Sequence, residues 1–160
     1  EGTITFVMPS MGQGKWNLGL KLKNTAGTEE DINIDVDVMQ KAEPQLFSFV
    51  SAHNPNQNVF VALVNPRMPQ IGINDFEVVV YERQSMMSWP ALEMLNIEID
   101  PEMPTMGHGS PNNVNPIDMG EGHYLGKVNF TMSGFWRVNM KFMTATNEMM
   151  KDDKYFDITF

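Results

Sequence analysis

At 160 residues, 42% of them hydrophobic and 19% charged, the chain has room for one domain, or one and a half small ones, and has a globular composition. A net charge of −9 with scattered Lys and Arg argues against nucleic acid and anionic membrane surfaces, both of which need clustered cations to neutralise phosphates. The lack of cysteine removes disulfides, thiolate zinc sites and cysteine nucleophiles, and no apolar run approaches the roughly 18 to 20 residues of a membrane-spanning helix.

The chain opens at Glu1 rather than Met, which reads as a processed or trimmed start. Residues 3–8 run Thr-Ile-Thr-Phe-Val-Met, and a strand opening on Trp16 follows. There Trp16, Leu18, Leu20 and Leu22 alternate with polar residues, and Ile32, Ile34, Val36 and Val38 repeat the pattern against Asn33, Asp35 and Asp37. A period of two is that of antiparallel strands with one wet face. The same order returns near the end of the chain. Residues 127–132 read Lys-Val-Asn-Phe-Thr-Met, Gly134 precedes a Trp136 strand, and a third alternating stretch closes the chain at 155–160. The repeat therefore spans three strands.

Residues 1–43 are read as the C-terminal half of a first sandwich repeat, and 44–160 as a complete domain. Three strands with an apolar face must bury it, whether on the second domain, by strand exchange with another chain, or against an upstream fragment; the last is the preferred account. Beyond Pro44 the predicted strands are 45–52, 59–64, 76–83, 95–100, 123–132, 135–143 and 155–160. Breaker clusters at Asn54-Pro55, Asn65-Pro66, Asn112-Asn113 and Ser133-Gly134 separate them. About seven such strands make an all-β, immunoglobulin-like antiparallel sandwich, preceded by the three-strand partial repeat. Ser133-Gly134 is expected to be a tight hairpin turn with Trp136 anchoring the core beside it. The connection from 100 to 122 lacks periodicity and is longer than a plain connection needs, which points to a functional loop.

That loop contains Met103-Pro104-Thr105-Met106-Gly107-His108-Gly109. Together with Tyr124, Gly126, Val128, Phe130, Met132, Gly134 and Trp136, it resembles the YtkA-like and FixH-like family of bacterial extracytoplasmic domains over residues 45–160. The resemblance implies a β-sandwich outside the cytoplasm, in a family linked through its FixH-like members with copper handling, and it implies no catalysis. A degenerate copy, Met8-Pro9-Ser10-Met11-Gly12-Gln13-Gly14, lies in the first repeat with Gln13 where His108 would stand.

Thioether sulfur and imidazole nitrogen suit cuprous copper, and neither is an acid that must lose a proton to bind. Pro104 stiffens the loop while Gly107 and Gly109 allow sharp turns, so Met103, Met106 and His108 are expected to converge, with Met119 and His123 as candidates for a fourth donor. Against this, methionine is also the adaptable filler of cores, so Met103 and Met106 can equally plug an open end of the sandwich. Met132 and Met140 are core by alternation, whereas Met86, Met87, Met149 and Met150 lie near turns. Hydrolase, dinucleotide, phosphate-loop and calcium-loop patterns are all missing. His108 and Ser110 have no nucleophile elbow around them, Gly12 and Gly14 lack a third glycine, and Asp31, Asp35 and Asp37 form a solvated strand face.

The sequence thus reads as a non-enzymatic extracytoplasmic binding domain, periplasmic or at the cell surface. Its expected partner is a copper ion or another protein, and any membrane contact is through a lipid anchor outside this chain. The alternative is a structural or protein-interaction module of a surface lipoprotein with no metal site.

Overall fold

A computed structural model describes residues 4–7, 10, 14–39 and 42–160. The chain forms two compact units, Glu1–Ala42 and Glu43–Phe160. The described residues of both are strands and turns, with no helix long and apolar enough to cross a membrane.

In the first unit, β1 (Trp16–Lys23) and β2 (Glu29–Val36) pair antiparallel in one unbroken register, from Trp16↔Val36 to Lys23↔Glu29. The turn between them is closed by Asn24, whose carbonyl accepts from Gly27 while its side-chain oxygen accepts from the backbone of Ala26 and Thr28. Ser10 is pinned to Val38 by two hydrogen bonds, and Phe6 packs on Trp16 with ring centroids 5.5 Å apart. The expected strand at 3–8 is not formed at Ile4–Val7, although Phe6 keeps its place against the tryptophan. Among the described residues this unit therefore holds two strands rather than three.

The second unit is a β-sandwich of nine strands. Five of them, β3 (Leu46–Val50), β4 (Asn58–Asn65), β5 (Gly72–Glu82), β8 (Val114–Gly120) and β9 (His123–Phe130), make one sheet in the order β3-β4-β5-β9-β8. The facing sheet has the order β11-β10-β6-β7, from β6 (Asn96–Met103), β7 (His108–Gly109), β10 (Phe135–Met143) and β11 (Met149–Thr159). Alternate residues of both sheets fill one core, which includes Val61, Phe76, Val78, Tyr124, Phe130, Trp136, Val138 and Phe142, each with no exposed surface. The two strands beyond the expected seven are β7 and β8, both inside the 100–122 connection. Its Pro and Gly residues hid them, because β8 is short, carries Pro116 and presents Val114, Ile117 and Met119 to solvent.

The expected hairpin at Ser133-Gly134 is an arch. β9 pairs with β5 and β8, whereas β10 pairs with β6 and β11, so residues 131–134 carry the chain from one sheet to the other. Met132 consequently lies on this arch, 39% exposed, and is not part of the core as alternation suggested. Shifts in the β10–β11 register leave extra residues on β11 around Met150 and Asp152. Met150 is buried there, and its carbonyl accepts from Ala52 just past β3, joining the edges of the two sheets.

Candidate functional site

The Met103 to His108 loop begins where β6 ends. The Met103 carbonyl accepts from the backbone of both Met106 and Gly107, and Gly107 takes a φ of 65°, in the left-handed region that glycine enters freely. This closed turn brings the chain back so that His108 stands opposite Met103 in antiparallel register, while Gly109 stands opposite Glu102. Side chains directly opposite on paired strands share a face. One residue beyond the Arg137↔Glu102 pair of β10 and β6, Trp136 extends the same row. Trp136, Met103 and His108 thus lie side by side across three strands.

The contacts agree with that row. The imidazole of His108 meets the Trp136 indole edge to face at 6.1 Å, and the indole is sealed from solvent and packed at a tilt against Phe130 at 5.3 Å. Met103 is 4% exposed, and its terminal methyl lies so close beneath Gly134 that a Cβ there would sit 2.9 Å from it. Met106, at the turn, is 56% exposed, and His108 is exposed as well. The Nδ1 of His108 is 3.1 Å from the Gly109 carbonyl, which can only accept, so this contact is made by the form that carries a proton on Nδ1. An imidazole oriented by a backbone carbonyl in this way is prepared for a metal or a hydrogen-bond donor.

Met119 and His123 do not join this group. The Met94 N–H donates to Asp118 and the Leu95 N–H to the Tyr124 hydroxyl, so the start of β6 adjoins the end of β8 and the start of β9. The eight residues of β6 then separate that end from Met103 by on the order of 25 Å. Met119 is 60% exposed. His123 is engaged elsewhere: its Nδ1 is 2.8 Å from Glu77, whose other oxygen accepts from Asn65 at 2.7 Å. The expected five-donor set is therefore split, with Met103, Met106 and His108 at one end of the sandwich and Met119 and His123 at the other. Alternation within each strand was visible in the sequence, but not which end of the stack each loop would reach. Among the described residues no three His, Asp or Glu side chains gather as a hard-metal site. The degenerate copy around Met8, Met11, Gly12 and Gln13 lies outside the described residues.

Tyr124 closes the opposite end. Fully buried, it donates from its hydroxyl to the Leu92 carbonyl and accepts from the Leu95 N–H. Burial is the main cause that pushes its pKa up to about 12. On the outer face of β10, Arg137 forms a two-pronged pair with Asp157 at 2.8 and 2.9 Å and stacks 3.8 Å over Tyr155. The hydrogen bond that Arg137 donates to Asp157 leads the causes that raise the Arg137 pKa.

The model of the YtkA-like family matches residues 53–141, just over half of the chain. No curated protein and no solved structure matches it.

Proposed function

Because the chain belongs to the YtkA-like family, we propose that it is a non-enzymatic extracytoplasmic binding domain that holds a cuprous ion at the corner formed by Met103, Met106 and His108. The observation that carries this reading is the Met103↔His108 pair, which sets a thioether and a carbonyl-oriented imidazole on one face beside an exposed second thioether. All three donors are neutral, and soft sulfur with imidazole prefers cuprous over hard divalent ions. The negative charge of the chain raises the local concentration of any cation. Because no donor is a thiol, the site is compatible with an oxidising compartment, and the likeness to FixH-like domains points the same way.

The test is competition between the full chain and a chromophoric cuprous chelator under reducing conditions. The expected result is uptake of one equivalent, abolished by His108→Ala combined with Met106→Leu and unchanged by His123→Ala or Met119→Leu, both about 25 Å away. The burial of Met103 under Gly134 favours a second reading, in which the thioether simply plugs the sandwich and the domain is a structural or protein-interaction module. Uptake no greater than that of a methionine-poor control supports this second reading.

A further inference from the structure

The arch at residues 131–134 ends at the same corner as the loop, and three contacts fix it there. The indole N–H of Trp136 donates to the Met132 carbonyl at 2.9 Å, the Gly134 N–H donates to the Phe160 carbonyl at 2.9 Å, and Gly134 covers the Met103 methyl. With a φ of 131°, and with the Met103 methyl 2.9 Å from where a Cβ would stand, Gly134 is the residue that lets the arch lie this close. The same indole that holds the Met132 carbonyl also meets the His108 ring. The Met132 backbone and the His108 ring, from segments more than twenty residues apart in the chain, are thus both held on one indole. Met132 is 39% exposed, so its thioether side chain is open to solvent.

We propose that Met132 supplies a further thioether to the ion held at this corner, with the Trp136 indole as the wall behind it. This inference rests on the reading of the corner as a soft-metal site. Beside Met103, which is 4% exposed, the donors open to solvent are Met106, His108 and Met132, and thioether sulfur with imidazole suits cuprous ion.

The test uses the full chain loaded with cuprous ion and has two readouts. Met132→Leu keeps the side-chain volume and should leave the fold intact, as checked by circular dichroism. Its affinity against the chelator should fall about 10- to 100-fold, at least the loss usual for a residue supporting a metal ligand. X-ray absorption should show one sulfur neighbour fewer at the copper, with the nitrogen contribution kept. Met132→His, which puts an imidazole donor that also suits copper at the same place, should recover most of the affinity. The inference is overturned if Met132→Leu binds as the parent does while His108→Ala with Met106→Leu does not, and in that case the corner site itself stands. It is also overturned if both Met132 variants weaken binding equally with an unchanged sulfur count, since Met132 would then only shape the arch. A parent protein that takes up no copper removes the corner site and this inference together.

Discussion

The hairpin β1–β2 and the hairpin β10–β11 are two versions of one piece of chain. The turn of the first runs from Asn24 to Thr28 and that of the second from Thr144 to Glu148, and each is closed by the same pair of backbone hydrogen bonds at the same spacing. In each, the first turn residue also caps the last backbone N–H with its side chain, Asn24 to Thr28 at 2.9 Å and Thr144 to Glu148 at 3.1 Å. A positive-φ residue precedes the last position in both, Gly27 or Asn147. Even the aromatic pair ahead of the hairpin recurs, Phe6 on Trp16 and Phe130 on Trp136. Burial is where they part. Trp136, Val138, Met140 and Phe142 are sealed, whereas their counterparts Trp16, Leu18, Leu20 and Leu22 stay half-buried or exposed, with Leu22 at 50%. Turn geometry is a local property that a short sequence carries wherever it goes, while core burial requires a facing sheet.

The largest expected effect breaks the comparison at its tryptophans. Trp136→Ala should destabilise the second unit by about 3 to 5 kcal/mol, the usual loss when a buried large aromatic is truncated. Trp16→Ala, in a half-buried position, should cost the first unit only about 1 kcal/mol. Native-state hydrogen exchange of the full chain reads the two units separately, and equal losses at both would show that the Trp16 face is as completely covered as the Trp136 face.

Next in size is the tie that the second unit has between its sheets. Tyr124→Phe removes the hydroxyl that serves both the Leu92 carbonyl and the Leu95 N–H, and leaving that N–H without a partner should cost about 1 to 3 kcal/mol. The pH dependence has a definite sign. The folded pKa of about 12 lies above the ordinary tyrosine value of 10.0, so between those values the native state holds a proton that the unfolded state has released. Stability from this group is complete below about pH 10 and declines as pH rises towards 12. Urea titrations across that window should show a shallower decline in the phenylalanine variant, with the raised pKa of Tyr81 accounting for what is left. An unchanged slope would mean that Tyr124 does not carry it.

The strands legible in the sequence were those with a clean period of two and one wet face. The expected stretch at 135–143 coincides with β10, and those at 59–64 and 76–83 lie within a residue or a few of β4 and β5. The repeat was legible for the same reason, because Phe, Met, Gly and Trp recur in order. What stayed hidden depends on contacts between distant segments. The register Met103↔His108 makes a strand of two residues, too short to show any period, and the exposed face of β8 interrupts its alternation. Phe-x-Met followed by Gly-x-Trp reads equally well as a hairpin or as an arch, since both need a tight turn between apolar strands. Only the pairing of β10 with β6 decides it. For the corner, donor types were legible and their grouping was not. Met103 and Met106 are three residues apart but differ from 4% to 56% exposed, and the division of the five donors between two ends follows from strand direction across the sheets.

The smallest effects sharpen the comparison most, because they test the turns that the two hairpins share. Gly27 and Asn147 both have positive φ, at 85° and 63°, and Asn is the side chain that best tolerates that region after Gly. Gly27→Asn meets no atom within 4 Å of its new Cβ, so it should change stability by less than about 0.5 kcal/mol. The reverse exchange is not equivalent. The Asn147 side chain accepts a hydrogen bond from Asn96 at 2.8 Å, just ahead of the core of β6, and no described residue makes that contact with Gly27. Asn147→Gly should therefore lose about 0.5 to 1.5 kcal/mol, the net worth of one hydrogen bond, with a further small loss from the added freedom of the unfolded chain. Asn96→Ala should lose a similar amount, and the double variant should lose less than the sum of the two, because both changes remove the same bond. If Gly27→Asn and Asn147→Gly prove equally harmless, the two turns are interchangeable in energy as well as in shape, and the Asn96 contact contributes nothing. An additive double variant would place the cost of Asn147→Gly in the backbone of the turn, where Gly27 already bears it.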